Sequence, residues 1–341
     1  NALINCEQSV LQGTRRLRQL AQVGVCSATA GLAVSIPLFY FMRDDGIVLS
    51  IIAYSAAAAF FTWKFRNKDY SKTPVSLSVG EVASRGAGFV RLGFFMTLGS
   101  FLSLLSSYIF IAYLNHASGT AAVGHYQAGY TLIHRYAALI FTAIGTEYYP
   151  RLASVCDSRW RTRLVVSQDI HIALTVLVAI ISIFILFRQL AVNILYSSDF
   201  NVIIPFISYA SLGIVFQAIS WCMAYVIIAK GKGKTYIVTE SLSTITGLTL
   251  NVVFYNYAGL DGLGLSYVVW YIFYTLIVGT VYFRQFKLTL HRSTLIMTLY
   301  ATVMAAAAII TMNLGLWPLT TAIAIASVAV CIISLRKKLS R

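Results

Sequence analysis

Few residues in this chain could do chemistry, and most of them lie on one stretch. Arg135 sits in the middle of an otherwise apolar run over 121–149. A charge at that depth marks a functional site by default, and a guanidinium presents a planar fork suited to phosphate oxygens. A carboxylate partner on a neighbouring helix, or a snorkelling side chain, would account for it equally well. Around it lie His125, Tyr126, Gln127, Tyr130 and His134. The separations among 127, 130 and 134 are three and four, which puts those side chains on one helix face. Such a stripe could line a polar cavity, with Tyr126 and Tyr130 as stacking platforms, or could serve as interhelical hydrogen bonds or an interfacial belt. Three acids near the bilayer, Glu147, Asp169 and Glu240, are candidates for coupling to a proton or sodium ion. Glu147 and Asp169 also suit interfacial ion pairs with the basic loop between them. Glu240, six residues past Lys234, is the one expected to face a cavity.

The elements that hold these residues follow from composition. Of 341 residues, 58% are hydrophobic and 11% charged, with a mean hydropathy of +0.76. Soluble domains carry about a quarter charged residues, so a soluble enzyme, a disordered chain and a disulfide scaffold are excluded. The five cysteines are scattered without a CxxC pair, so neither a metal site nor a cofactor is expected. Ten segments are long and apolar enough to span a bilayer: 19–41, 47–63, 92–114, 121–149, 170–187, 202–229, 235–257, 263–283, 294–312 and 317–335.

The net charge of +15 could suggest nucleic acid, but its distribution does not. With residues 1–18 cytoplasmic, alternate loops collect 23 of the 26 basic residues. The exceptions are Arg43 and Arg188 on the opposite face and Arg135 within a span. That alternation supports ten spans with both ends inside, and no nucleic-acid partner.

A displacement of 216 positions aligns 31–50 with 247–266 without gaps, and Gly31, Leu32, Asp45, Gly46, Leu49 and Ser50 meet identical residues. The hairpin of spans one and two then corresponds to that of spans seven and eight, which implies a six-helix unit of which the first copy shows only its last two helices. Parallel repeats of this kind belong to alternating-access transporters.

Several strings resemble one family. VGHYQAGYTLIHRYAALIFTAIGTEYYPRL (123–152) is similar to the helix of polysaccharide flippases that opens VGxYQ and closes on a GTxYxPRL-like end. LQGTRRLRQLAQ (11–22), NILYSSDF (193–200), AKGKGKTYIVTES (229–241) and GLDGLGLSY (259–267) resemble its other landmarks. The resemblance is to O-antigen translocases, lipid-linked oligosaccharide flippases of the multidrug/oligosaccharidyl-lipid/polysaccharide exporter superfamily. It implies an all-α integral membrane protein with a MATE-like two-lobe fold lacking about four N-terminal helices. The expected organisation is 1–63 as the end of the first lobe, 64–91 as a cytoplasmic linker, 92–290 as the second lobe and 291–341 as two extra helices with a basic tail. The implied cargo is an undecaprenyl-pyrophosphate-linked sugar unit crossing the bacterial inner membrane. Membrane lipid and other polysaccharide assembly proteins are the implied partners, and no covalent chemistry is expected.

Three rivals remain at this level: a drug antiporter of the same superfamily, a membrane polysaccharide polymerase and a channel. The short outer loops disfavour the polymerase, and no phosphate-binding P-loop is present. Pro37, Pro205 and Pro318 are possible kinks and Gly99, Gly129, Gly213 and Gly247 possible close approaches. The stretch 71–91 could form an amphipathic surface helix.

Overall fold

The structure is a computed structural model that describes residues 2–14, 16–42, 46–65 and 78–339. The described residues are almost wholly helical: α1 (Ala2–Gly13), α2 (Leu17–Met42), α3 (Gly46–Phe65), α4 (Val79–Ala153), α5 (Arg159–Leu186), α6 (Arg188–Leu195), α7 (Ile204–Ala229), α8 (Gly233–Thr280), α9 (Arg292–Asn313) and α10 (Trp317–Leu339). A 3-10 turn, Ser198–Ile203, leads into α7, and a π turn, Val281–Gln285, ends α8.

Eight of the described helices are long and apolar enough to cross a membrane. Two of the eight are too long to cross only once. At 1.5 Å per residue, the 75 residues of α4 and the 48 of α8 would run to roughly 110 Å and 70 Å against a hydrocarbon core of about 30 Å. Each is broken where two expected spans meet. In α4 the break is Gly119, at φ 78° and ψ 179°. In α8 it is Ala258 and Gly259, the latter at φ 58°. The four resulting pieces, 79–118, 120–153, 233–257 and 260–280, contain the third, fourth, seventh and most of the eighth expected spans.

The expected surface helix at 71–91 is described only from residue 78; its earlier part lies outside the described residues. What is seen differs from a separate element, because the chain is helical from Val79 straight into the span. A capping box starts it. The Glu81 backbone N–H donates to Ser78 Oγ (3.3 Å), while the Ser78 backbone N–H and hydroxyl donate to Glu81 Oε2 (2.9 and 3.1 Å). Pro205 and Pro318 fall in the first turns of α7 and α10, where no intrahelical bond is lost. Pro37 and Pro150 lie inside helices.

The chain divides into two compact units: Asn1–Ser84 with Gly145–Arg151, and Arg85–Ile144 with Leu152–Arg341. In the first, α2 and α3 form a hairpin against which α1 packs, and Leu11 of α1 is buried. At 12 residues α1 is too short to span. In the second, α5 and α7 are the most buried helices; α9 and α10 pack on α5, and α8 packs on α7.

The internal repeat has a structural counterpart. A Cβ on Gly31 would overlap the Tyr54 ring, and one on Gly247 would overlap the Trp270 ring; 54 and 270 are again 216 apart. A Cβ on Gly46 would strike the Leu38 carbonyl, and one on Gly262 the Phe254 carbonyl. Ser50 Oγ donates to Ile47 O at 2.7 Å, and Ser266 Oγ to Leu263 O at 3.0 Å. Three contacts repeated at the same displacement are hard to obtain from two unrelated apolar hairpins.

Candidate functional site

A group of polar side chains in the second unit forms one network built by α4, α7 and α8. The pieces approach closely because small residues face rings. A Cβ on Gly213 of α7 would lie 2.5 Å from Tyr267 Cδ1, and one on Gly129 of α4 would lie 2.5 Å from Phe206 Cδ1. With no side chain at 213, the Tyr267 ring lies against the α7 backbone, and its hydroxyl donates to Gln217 Oε1 one turn on (3.1 Å). Gln217 Nε2 then donates to the Tyr271 hydroxyl at 3.0 Å. One amide thus clamps two tyrosines that stand four apart on α8.

Tyr274 extends the same face by three residues and donates to Glu240 Oε1 on the first piece of α8. Trp270, stacked on Tyr271, donates to Ser243 Oγ at 3.0 Å. From α4, His134 stacks on Tyr130 with ring centres 4.0 Å apart and meets Tyr267 edge-on at 5.5 Å. Its Nε2 is buried without a hydrogen-bond partner. Tyr267, Tyr271 and Tyr274 are all under a tenth exposed. A carboxylate, an imidazole, an amide and a run of hydroxyls are therefore held together inside an apolar helical bundle, where a polar group without a partner costs several kcal/mol. Chemically, this arrangement can hold a proton or a small cation, or offer hydroxyl-rich matter a set of donors, acceptors and ring faces.

The expected site residues divide between this network and its surroundings. Tyr130, His134 and Glu240 belong to it. Tyr126 is buried among the rings of Phe110, Tyr130 and Phe206, a packing position and not an open stacking platform. His125 meets the ring of Phe200 edge-on at 5.3 Å. Gln127 is exposed, so the stripe expected from its spacing to 130 and 134 is split by the way the helix packs. Arg135 is also exposed and stands outside the network. It lines an open, mainly apolar groove of about 770 Å³ with Thr131, Leu139, Thr142, Leu195 and Tyr196.

Asp169 is 4% exposed on α5. Glu147 is exposed in the first unit. Arg188 is a buried cation, and its Nη1 donates to Ser208 Oγ at 2.7 Å. Sequence reasoning passed over it as a loop residue, and it missed Gln217, Tyr267, Tyr271 and Tyr274. An amide inside the apolar run 202–229 and tyrosines spaced four and three were the available signals. Among the described residues there is no group of three or more metal-ligating side chains.

Residues 1–205 match the model of a family described as polysaccharide biosynthesis protein. Among solved structures, the lipid II flippase MurJ in an inward closed conformation matches with a TM-score of 0.57 and 14% identity, covering 92% of this chain and 68% of that one. At such identity the likeness is one of fold. No curated protein matches the chain.

Proposed function

Because the chain belongs to the polysaccharide biosynthesis protein family, we propose that it is a flippase carrying a lipid-linked oligosaccharide across the bacterial inner membrane. The observation that carries the reading is the transporter fold shared with MurJ over 92% of the chain. Physics supplies the requirement. Sugar hydroxyls and a pyrophosphate cannot cross hydrocarbon unsatisfied, so the head group needs a polar path while its lipid tail stays in the bilayer. The cargo is an undecaprenyl-pyrophosphate-linked repeat unit of an O-antigen, a capsule or a related polysaccharide, moved by alternating access without covalent chemistry. The C-terminus is cytoplasmic.

Arg135 is the pyrophosphate contact, since it is an exposed cation, with no ion pair among the described residues, on an open groove within an apolar helix. Gln127 and His125, the other candidates for contact with the cargo, lie on the same helix nearer the break at Gly119. The buried set Glu240, Tyr274, Tyr271, Gln217, Tyr267 and His134 is the ion-coupling element, with Asp169 and Glu147 as outlying acids. In the domain scheme, 1–63 and 92–290 belong to the two lobes and 291–341 adds two helices.

Deletion of the gene from a strain that makes the polysaccharide tests the assignment. A flippase leaves lipid-linked repeat units accumulating on the inner leaflet, and the intact protein relieves this. Unchanged repeat units together with new sensitivity to cationic drugs would assign the fold to a drug antiporter instead.

A further inference from the structure

The other concentration of polar chemistry in the second unit is a cavity of about 380 Å³ that the network does not touch. It lies where the first piece of α4 meets the turn between α7 and α8. Arg91, Lys232 and Lys234 line it, together with Thr235, and no acid is among its lining residues. All three cations are exposed, and none makes a salt bridge among the described residues.

Its shape follows from two glycines. Gly231, at φ 64°, turns the chain sharply after α7. A Cβ on Gly233 would lie 2.5 Å from Phe95 Cδ2, so only glycine lets α8 start against the α4 ring. That approach brings Lys232 and Lys234 to the same cavity as Arg91. The cavity floor is apolar, made by Leu92 and Phe95. The cations stand at the first residues of two expected spans, 92–114 and 235–257, which is the level at which hydrocarbon gives way to head groups. By the charge bias this is the cytoplasmic leaflet, and basic pockets between helices on that side suit anionic head groups.

We propose that the cavity lined by Arg91, Lys232 and Lys234 binds the phosphate head group of an anionic membrane lipid. The three cations neutralise the phosphate, the Thr235 hydroxyl and the first free N–H groups of α8 donate to its oxygens, and the Phe95–Leu92 floor takes the start of an acyl chain. The site is separate from the Arg135 groove and from the coupling network, and its occupant is a resident lipid and not the cargo. Holding one there ties the Gly88–Phe95 stretch of α4 to the start of α8.

The test uses the full-length protein, purified in a neutral detergent and titrated with dioleoyl phosphatidylglycerol, dioleoyl phosphatidylcholine or inorganic pyrophosphate, with binding read by thermophoresis. Phosphatidylglycerol should bind saturably and phosphatidylcholine should not. The triple variant Arg91→Gln/Lys232→Gln/Lys234→Gln should weaken binding at least tenfold, since each cation near an anionic lipid is worth about fivefold. The charge-matched variant Arg159→Gln/Arg161→Gln/Arg292→Gln should bind as the parent does. The charge-conserving Arg91→Lys/Lys232→Arg/Lys234→Arg should retain binding, which separates loss of the site from loss of the fold. Equal weakening by the two charge-removing variants would reduce the effect to bulk charge and overturn the site. Saturation by pyrophosphate alone, at the concentrations where the lipid binds, would overturn the lipid assignment. None of these readings depends on transport.

Discussion

Replacing Gln217 should destabilise the second unit measurably. The substitution Gln217→Met keeps the length of the side chain and removes two hydrogen bonds at once, those of 3.1 Å from Tyr267 and 3.0 Å to Tyr271. Hydrogen bonds between helices inside a membrane average about 0.6 kcal/mol and reach about 1.7 kcal/mol. The pair therefore amounts to roughly 1–3 kcal/mol. Tyr267→Phe and Tyr271→Phe each remove one of the two, so each should cost roughly 0.6–1.7 kcal/mol by the same measure. The triple variant should be more stable than the three single losses summed, because hydroxyls and amide vanish together and no buried polar group is left without its partner. Unfolding of the purified protein in mixed micelles of rising dodecyl sulfate fraction, followed by helical circular dichroism, measures all four. A Gln217→Met protein as stable as the parent, with the two phenylalanine variants destabilised, would show that the tyrosines are held by something other than the amide. Additive losses in the triple variant would equally refute the clamp.

Four further outcomes follow from the geometry. Gly247→Ala and Gly31→Ala should each cost about 1–3 kcal/mol through overlap with Trp270 and Tyr54; Gly93→Ala, with nothing near its Cβ, should be neutral or slightly stabilising in the same micelle titration. Arg135→Ala should leave that unfolding curve within about 0.5 kcal/mol and raise the substrate concentration needed for half-maximal transport by about 10–100-fold, the worth of a charge-assisted contact to phosphate. Glu240→Gln should keep the protein folded, because an amide still accepts from Tyr274, while abolishing the dependence of transport on an ion or proton gradient; unchanged coupling would remove Glu240 from that role. The Ser78 N–H first and its hydroxyl second hold the Glu81 carboxyl below the usual glutamate value of 4.5. A lowered value means the cap is intact above the ordinary pKa and is lost as pH falls through the folded-state one. Helix α4 should therefore fray at Val79–Arg85 only below the ordinary glutamate value, seen as faster amide exchange there, and Glu81→Gln should shrink that acid dependence.

The spans were legible because a run of about 20 apolar residues is a local property, and the breaks at 119 and 258–259 fall where the runs end. The repeat was legible for the same reason: Gly31 and Gly247 are markers of contact, and their partners Tyr54 and Trp270 lie at the same displacement. Much of the network was not legible. Whether Tyr267 meets Gln217 depends on the register of α8 against α7, which no local pattern fixes. Residues 127, 130 and 134 meet different surroundings for the same cause, since three residues on one face share a neighbour only if that neighbour runs the whole length of the face. Arg135 stood out in the sequence by its apolar surroundings alone. Arg188, lying at the end of an apolar run, looked like an ordinary loop cation, yet folding buries it against Ser208.

The most direct measurement is of the leaflet itself. The purified full-length protein is reconstituted into liposomes that carry a fluorescent undecaprenyl-pyrophosphate oligosaccharide, and a membrane-impermeant quencher reports how much head group faces outward. Head groups initially enclosed should become accessible to the quencher when the parent protein is present, and liposomes bearing Arg135→Ala should need about 10–100-fold more of the cargo for the same effect. Equal accessibility with and without the protein under every imposed gradient would contradict this expectation.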